Sequence, residues 1–538
     1  MRWWFSSTFA AVAMAAASPS FAARDFTPQS GTWIVSQEKD GKPGRGLAID
    51  VKGNTFFMQV FAYEKNGDAT FYTATGQMNG NSVTAPLMRY QGGRSFGSAA
   101  RDAVEDRSLG DVTVDFSNGL KGTVRFPGED ALAIERFLVT STEPGVTNPL
   151  KQKGARGLVL YVLDEQGQVA APWSAEFEAG EGQSVNLTLI NAVAQSFQDL
   201  LCQPVGVGVR FDCKPADTPP YLDNESKPVV APKVARLVFE LAGRDLSGSV
   251  YLGDNASIPM QVRGWNTGAE EDSPFRHEPR GLVRTRVSQD YGAVSVYGGS
   301  CSLICEYTER YNTLMPYNGT WIVQDELTGK PGRGLALDIQ GSTAILQVFN
   351  YRADGQPTFH MGSAAYLSKG LDTLASVTTI PMDEYQAGRS IGGAAQSASL
   401  RSHAGNAMLE FSQKKVEGRP KDEAMWWQSG QVQLPGESPV RIKRLQLEAP
   451  SSAAEAFLGQ WYVPDVYATV TLDRIVGDAA MSQDGKDYCQ PSEMSPSVAY
   501  CQLGGWSRYV DWQAGETREG MVRLRDRHGN AVGLGRLD

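Results

Sequence analysis

The stretch Gly31-Thr32-Trp33-Ile34-Val35, followed by Lys42-Pro43-Gly44-Arg45-Gly46-Leu47-Ala48, returns as Gly319-Thr320-Trp321-Ile322-Val323 and Lys330-Pro331-Gly332-Arg333-Gly334-Leu335-Ala336. Both pieces recur with the same spacing, Trp33 to Trp321 and Lys42 to Lys330, which marks an internal duplication. Tyr90-Gln91-Gly92-Gly93-Arg94-Ser95 then matches Tyr385-Gln386-Ala387-Gly388-Arg389-Ser390, and Ile134-Glu135-Arg136 matches Ile442-Lys443-Arg444. The spacing grows along the copy, so the second copy carries insertions in its loops.

Each copy reads as a ladder of short strands. In the first these are 32–35, 45–51, 56–63, 70–75, 82–90, 111–116, 119–126 and 132–139. Asn66-Gly67, Asn79-Gly80 and Asn118-Gly119 suit tight hairpins, because Asn and Gly accept positive φ. Sequential hairpins give an antiparallel meander, and eight such strands can close into an up-and-down barrel without exposed edges. The expected fold is therefore all-β, a series of small antiparallel barrels in a duplicated two-unit module.

Beyond each copy lies a more divergent unit. Cys202-Gln203-Pro204 before Cys213 resembles Cys489-Gln490-Pro491 before Cys501, and a terminal hairpin recurs as Gly122 to Arg136, Gly248 to Arg263, Gly430 to Arg444 and Gly520 to Arg536. Four units result, over 26–142, 152–266, 316–449 and 455–538. Residues 267–315 form a polar connector that could instead belong to the second unit. The length of 538 residues agrees with three to four domains at roughly 150 residues each.

Composition narrows the function. A formal charge of −10 repels phosphate backbones and anionic lipid surfaces, so nucleic acid is not an expected partner. Met1-Arg2, the apolar run Trp3 to Ala17 and the small residues to Ala23 read as a secretory signal peptide over 1–23, cut after Ala22 or Ala23. No second apolar run is long enough to span a membrane, and a periplasmic or extracellular location follows. Six cysteines allow 15 pairings, but they cluster into local couples: Cys202 with Cys213, Cys301 with Cys305, and Cys489 with Cys501. With no Cys-x-x-Cys and four scattered histidines, neither a metal nor another cofactor is expected.

Gly-x-Trp on a first strand with arginine on the last is similar to the calycin superfamily of lipocalin-like and avidin-like barrels. That resemblance implies that the arginine packs over the tryptophan at the closed end, here Trp33 with Arg136, Trp321 with Arg444 and Trp461 with Arg536. Units one and three also resemble a set of uncharacterised exported bacterial repeats. The shared motifs are Gly31/Trp33, Gly44-Arg45-Gly46, Tyr63 with Gly67, Gly92-Gly93-Arg94-Ser95-Phe96-Gly97 and Ile134/Arg136. This resemblance covers less than half the chain and implies no defined activity. The Trp-Tyr usual after the glycine turn is Phe71-Tyr72 in the first copy and Phe359-His360 in the second.

Gly93-Arg94-Ser95-Phe96-Gly97 and Gly388-Arg389-Ser390-Ile391-Gly392 fit a G-x-S-x-G nucleophile elbow. Such a serine needs a nearby base and a strand-to-helix turn. Residues 1–276 contain no histidine and no amphipathic helix follows either motif, so no catalytic residue is assigned. Asp50 and Asp338, with Gln59 and Gln347, recur on strands and read as outward-facing residues, as cross-strand partners or, given a polar pocket, as groups to test. Binding has better material: Tyr63, Tyr90, Arg94, Tyr351, Tyr385 and Arg389 recur as aromatic-plus-arginine sets. Trp506, Tyr509 and Trp512 form a second aromatic group, and Trp426-Trp427 sits in an insertion.

The sequence thus supports an exported noncatalytic binding protein whose ligand is a glycan or a protein. The alternatives are an inhibitor of an external lysozyme or protease and a hydrolase at a unit interface. Mass spectrometry of protein recovered from an exporting host is expected to show an N-terminus at Ala23 or Arg24; an intact Met1 would refute the signal peptide.

Overall fold

The computed structural model describes residues 22–137, 157–217, 233–266, 284–286, 295–297, 310–311, 316–415 and 426–532. Within these spans, positions 25, 40, 167, 192–195, 206–209, 243–244, 254–256, 341–342, 367, 370–374, 494, 513–516 and 519–520 are excluded. Residues 1–21 of the expected signal peptide, Cys301, Cys305 and Arg536 lie outside the described residues.

The first unit is a closed ring of eight antiparallel strands, β1 (Gly31–Val35), β2 (Gly46–Lys52), β3 (Thr55–Tyr63), β4 (Ala69–Gln77), β5 (Ser82–Gln91), β6 (Val104–Asn118), β7 (Lys121–Arg125) and β8 (Leu132–Arg136). Each pairs with its sequence neighbour and β8 returns to β1, with Trp33 opposite Arg136. In β5 the residues Val83, Ala85 and Leu87 turn inward and their neighbours outward, as a strand with one wet face requires. Gly67 and Gly80 supply the positive φ of their hairpins. Gly119 does not; there the Asn118 side chain accepts from the Leu120 amide at 2.8 Å.

Residues 157–266 close a second eight-stranded ring. The third unit, 319–444, closes a third ring when Pro357–Ala365 pairs with Ala375–Gln386. The fourth differs: its strands form a four-stranded and a five-stranded sheet over one shared core, with a short helix, Ala453–Phe457. The connector contributes three short strands. The three barrels are filled, since Trp33, Phe56 and Phe126 in the first and their apolar counterparts in the others occupy the interiors.

Gly-x-Trp builds the same device in units one, three and four. Gly31, Gly319 and Gly459 share φ values of 125°, 116° and 126°. Each tryptophan indole N–H donates to the carbonyl four residues upstream, at Gln29, Tyr317 and Phe457. Over Trp461 lies Arg523, 4.4 Å from the ring centroid and opposite it in register; Arg536, which the sequence pattern pairs with this tryptophan, lies outside the described residues.

The disulfides Cys202–Cys213 and Cys489–Cys501 join directly opposed residues of adjacent strands, and their sulfurs sit in the cores of units two and four. Each closes a short loop, worth roughly 2–3 kcal/mol to the native state. Reductant should therefore increase amide exchange in units two and four, while units one and three keep their protection. Equal loss in all four would refute this partition.

Candidate functional site

Strands β2 and β3 are buried on both faces, unlike β5. One face fills the first barrel. The other packs on its counterpart in the third unit, so the two copies of the duplicated sequence meet across a pseudo-twofold axis. Phe61 lies 5.4 Å from Phe359, and Phe71 lies 5.6 Å from both Phe349 and Tyr351. Phe71 and Phe359, which occupy corresponding positions in the two copies, are thus central to this seam.

Polar pairs cross the same seam in duplicate. Arg136 donates two hydrogen bonds to Asp338, at 2.6 and 2.7 Å, and its partner carboxylate also accepts from the Thr32 amide at 2.9 Å. Arg444 reaches Asp50 in the same two-pronged way, one contact at 2.7 Å, and Asp50 accepts from the Thr320 amide. Asp50 and Asp338 are each 1% exposed, so they face neither solvent nor a pocket. Gln59 and Gln347 are buried beside them, and Gln347 donates to the Thr32 hydroxyl at 3.0 Å. Burial matters here: a paired, hydrogen-bonded charge is tolerated in the interior, and a widowed one is not.

The glycine-rich loops are exchanged between the units. Arg94 pairs with Glu326 and Glu437 of unit three, where Arg333 binds the same carboxylates. Arg389 pairs with Glu38 and Glu129 of unit one, which Arg45 also binds. Beyond each arginine a partly buried apolar side chain packs against the core of the opposite barrel, Phe96 on the third and Ile391 on the first. Tyr63 lies on Gly388 and Tyr351 on Gly93, so close that a Cβ at either glycine would overlap the ring. Backbone bonds complete the exchange: the Ala387 amide donates to the Gly67 carbonyl and the Gly92 amide to the Gly355 carbonyl, both at 2.7 Å.

Ser95 and Ser390 belong to loops joining two strands, not to a strand-to-helix elbow. The binding set Tyr63, Tyr90, Arg94, Tyr351, Tyr385 and Arg389 is brought together, and its principal contacts are between the two units. Tyr90 and Tyr385 are half-buried at the edge of that cluster. The second aromatic group is split: Trp506 is buried, donating to Asp465 at 3.1 Å, and Trp512 donates to the Pro496 carbonyl at 2.6 Å. Tyr509 lies on the opposite face and is 53% exposed. Alternation along the strand separates them.

At one end of the seam a cleft of about 530 Å³ opens beside the Asn66-Gly67 turn. Tyr63, Glu64, Lys65, Asp68, Tyr72 and Arg89 line it from unit one, and Arg352, Gln356, Ser390 and Ile391 from unit three. Arg89 holds Glu64 at 2.8 Å, Asp106 at 2.6 Å and Gln356 at 2.8 Å. Burial pushes the Tyr72 phenol up to about 12 and the Tyr63 phenol further up, so both remain protonated donors. The Tyr63 hydroxyl and Arg352 Nε are buried with no hydrogen-bond partner among the described residues. At the pseudo-equivalent place His360 replaces Tyr72, and Phe96 packs against it with centroids 4.6 Å apart and the rings tilted by 43°. Burial holds that imidazole down to about 4, against a smaller opposing effect of Glu384. Of the cleft residues, Tyr63 and Ser390 stand out in the sequence, but Arg89 and Gln356 share no motif, and only folding brings them together.

The chain matches no family model and no curated protein.

Removing one member of the central pair should leave a buried charge alone. Asp338→Asn is expected to cost about 3–5 kcal/mol in chemical denaturation, and Asp50→Asn a similar amount; a loss under about 1 kcal/mol would refute the central role of these pairs. Acid should act through Glu437 and Glu448. Burial pushes Glu437 and Glu448 up, but Arg333 on the first and His528, Thr55 and Arg527 on the second outweigh it, leaving Glu437 low and Glu448 at about 2. Their folded-state values are depressed, so their stabilisation is present above the ordinary 4.5 and is lost as pH falls toward 2. Glu448→Gln should flatten that acid limb in a pH series of unfolding midpoints.

Proposed function

We propose that this is an exported, noncatalytic binding protein that holds a small glycan in the cleft between units one and three. The observation that carries the reading is the pair of buried, unpartnered donors at the cleft, Tyr63 Oη and Arg352 Nε. Buried polar groups are normally satisfied, and a polar ligand can supply the missing acceptors. The volume falls within the roughly 300–1,000 Å³ of ligand pockets. Planar polar side chains of both hydrogen-bonding senses, Glu64, Asp68, Arg89, Arg352 and Gln356, suit adjacent sugar hydroxyls, and Tyr72 adds an aromatic wall.

Other features support the same reading. The filled barrels leave the clefts and outer faces as binding surfaces. The signal-like N-terminal stretch and the two disulfides fit an oxidising destination outside the cytoplasm. Among the described residues no helix is long and apolar enough to cross a membrane. Descent from calycin-like barrels is part of the proposal and rests on the Gly-x-Trp and arginine pattern.

Native mass spectrometry of protein from its exporting host, followed by calorimetry with a panel of mono- and disaccharides, tests the assignment. A sugar-sized excess mass and its loss in Arg107→Ala, which alters an exposed arginine at the cleft, are expected. The affinity should fall about tenfold with the unfolding midpoint unchanged. A protein-sized adduct would overturn this in favour of an enzyme inhibitor. Labelling of Ser95 or Ser390 by a fluorophosphonate would overturn it in favour of a hydrolase.

A further inference from the structure

We propose that Tyr488, Tyr500 and Tyr509 form a second binding site, a stacking surface for a single uncharged oligosaccharide chain. The site rests on the outer face of unit four and is independent of the cleft between units one and three. Strands Tyr488–Ser492, Ser495–Leu503 and Trp506–Asp511 are adjacent and antiparallel. Their register sets Tyr488 opposite Gln502, Gln490 opposite Tyr500, Tyr500 opposite Tyr509 and Gln502 opposite Ser507. These six side chains therefore share one face. The intervening residues Cys489, Cys501, Leu503, Trp506 and Val510 are buried in the core on the other.

The three rings run in a row across the sheet. Tyr488 and Tyr500 have centroids 6.3 Å apart, and Tyr500 and Tyr509 5.4 Å apart. Tyr509 is 53% exposed, while Tyr488 and Tyr500 are half-buried. Directly beneath, Cys489–Cys501 ties the first two strands together, so the row is held in place before any ligand arrives.

Charge chooses the ligand. None of the six outward residues is ionised at neutral pH in a chain with 20% charged residues. The nearby Arg508 lies 5.8 Å from the Trp506 ring centroid and pairs with Asp465, and Lys486 pairs with Asp484. A polyanion is disfavoured by the formal −10 of the whole chain. What remains is a neutral molecule with an apolar face for the rings and hydroxyls for the Gln490 and Gln502 amides, as a sugar has. The rings are tilted by 54° and 59° to each other, which shapes a cradle for one twisted chain rather than a plane for a crystalline polymer.

The test is calorimetric titration of the full chain with four neutral hexasaccharides, of β-1,4-glucose, β-1,3-glucose, α-1,4-glucose and β-1,4-mannose. At least one should bind, and Tyr509→Ala and Tyr500→Ala should each weaken it about tenfold with an unchanged unfolding midpoint. Tyr509→Phe keeps the ring and should bind within about threefold of the parent, and Arg107→Ala at the other site should bind like the parent. The proposal is overturned if no hexasaccharide binds at about 10 mM, or if binding survives both alanine variants. It is also overturned if the face serves a second copy of the chain, seen as concentration-dependent self-association that Tyr509→Ala abolishes.

Discussion

The reciprocal pairing of Arg136 with Asp338 and of Arg444 with Asp50 is the constraint around which the molecule is arranged. Each arginine ends the last strand of its own barrel and each carboxylate lies on the second strand of the other. Neither ion can be satisfied within one unit. A buried guanidinium without its carboxylate is costly, so the first and third barrels have their lowest free energy together. The aromatic seam and the exchanged glycine-rich loops then follow, because the same docking brings Tyr63 over Gly388 and Tyr351 over Gly93.

Units distant in sequence consequently pair in space. Units two and four meet through Tyr161 and Tyr462, with centroids 5.4 Å apart, and through Arg263 donating to the Val532 carbonyl. Unit one reaches unit four through Asn54 and Asn530, and Glu448 binds both the Thr55 turn and Arg527. The segment following the signal-like stretch joins this clasp, with the Arg24 amide donating to Asn530 at 2.9 Å. Duplication supplied the parts in one order and burial assembled them in another.

Near-symmetry leaves room for function where it fails. Ile391 packs on the first barrel where Phe96 packs on the third, and Tyr72 stands where the third unit has His360. The ring of Phe96 packs over its histidine, and Ile391 lines the cleft beside Tyr72. Unit four departs further, and its open sheets expose an outer face that the seam between units one and three uses up.

The residue pattern already carries the duplication, the eight strands of the first copy and the two described disulfides. These are local: period-two alternation, Asn-Gly turns and cysteines on neighbouring strands act over a few residues. It also singled out Tyr63, Tyr90, Arg94, Tyr351, Tyr385 and Arg389, but not their setting. Asp50 and Asp338 read as strand residues with no evident purpose, because their partners lie 394 and 202 positions away. It took the assembled fold to set these residues face to face, to fill the barrels, to lay Arg523 over Trp461 and to part Tyr509 from Trp506 and Trp512. Each depends on which surfaces meet, a choice made by the summed burial and pairing of groups far apart in the chain.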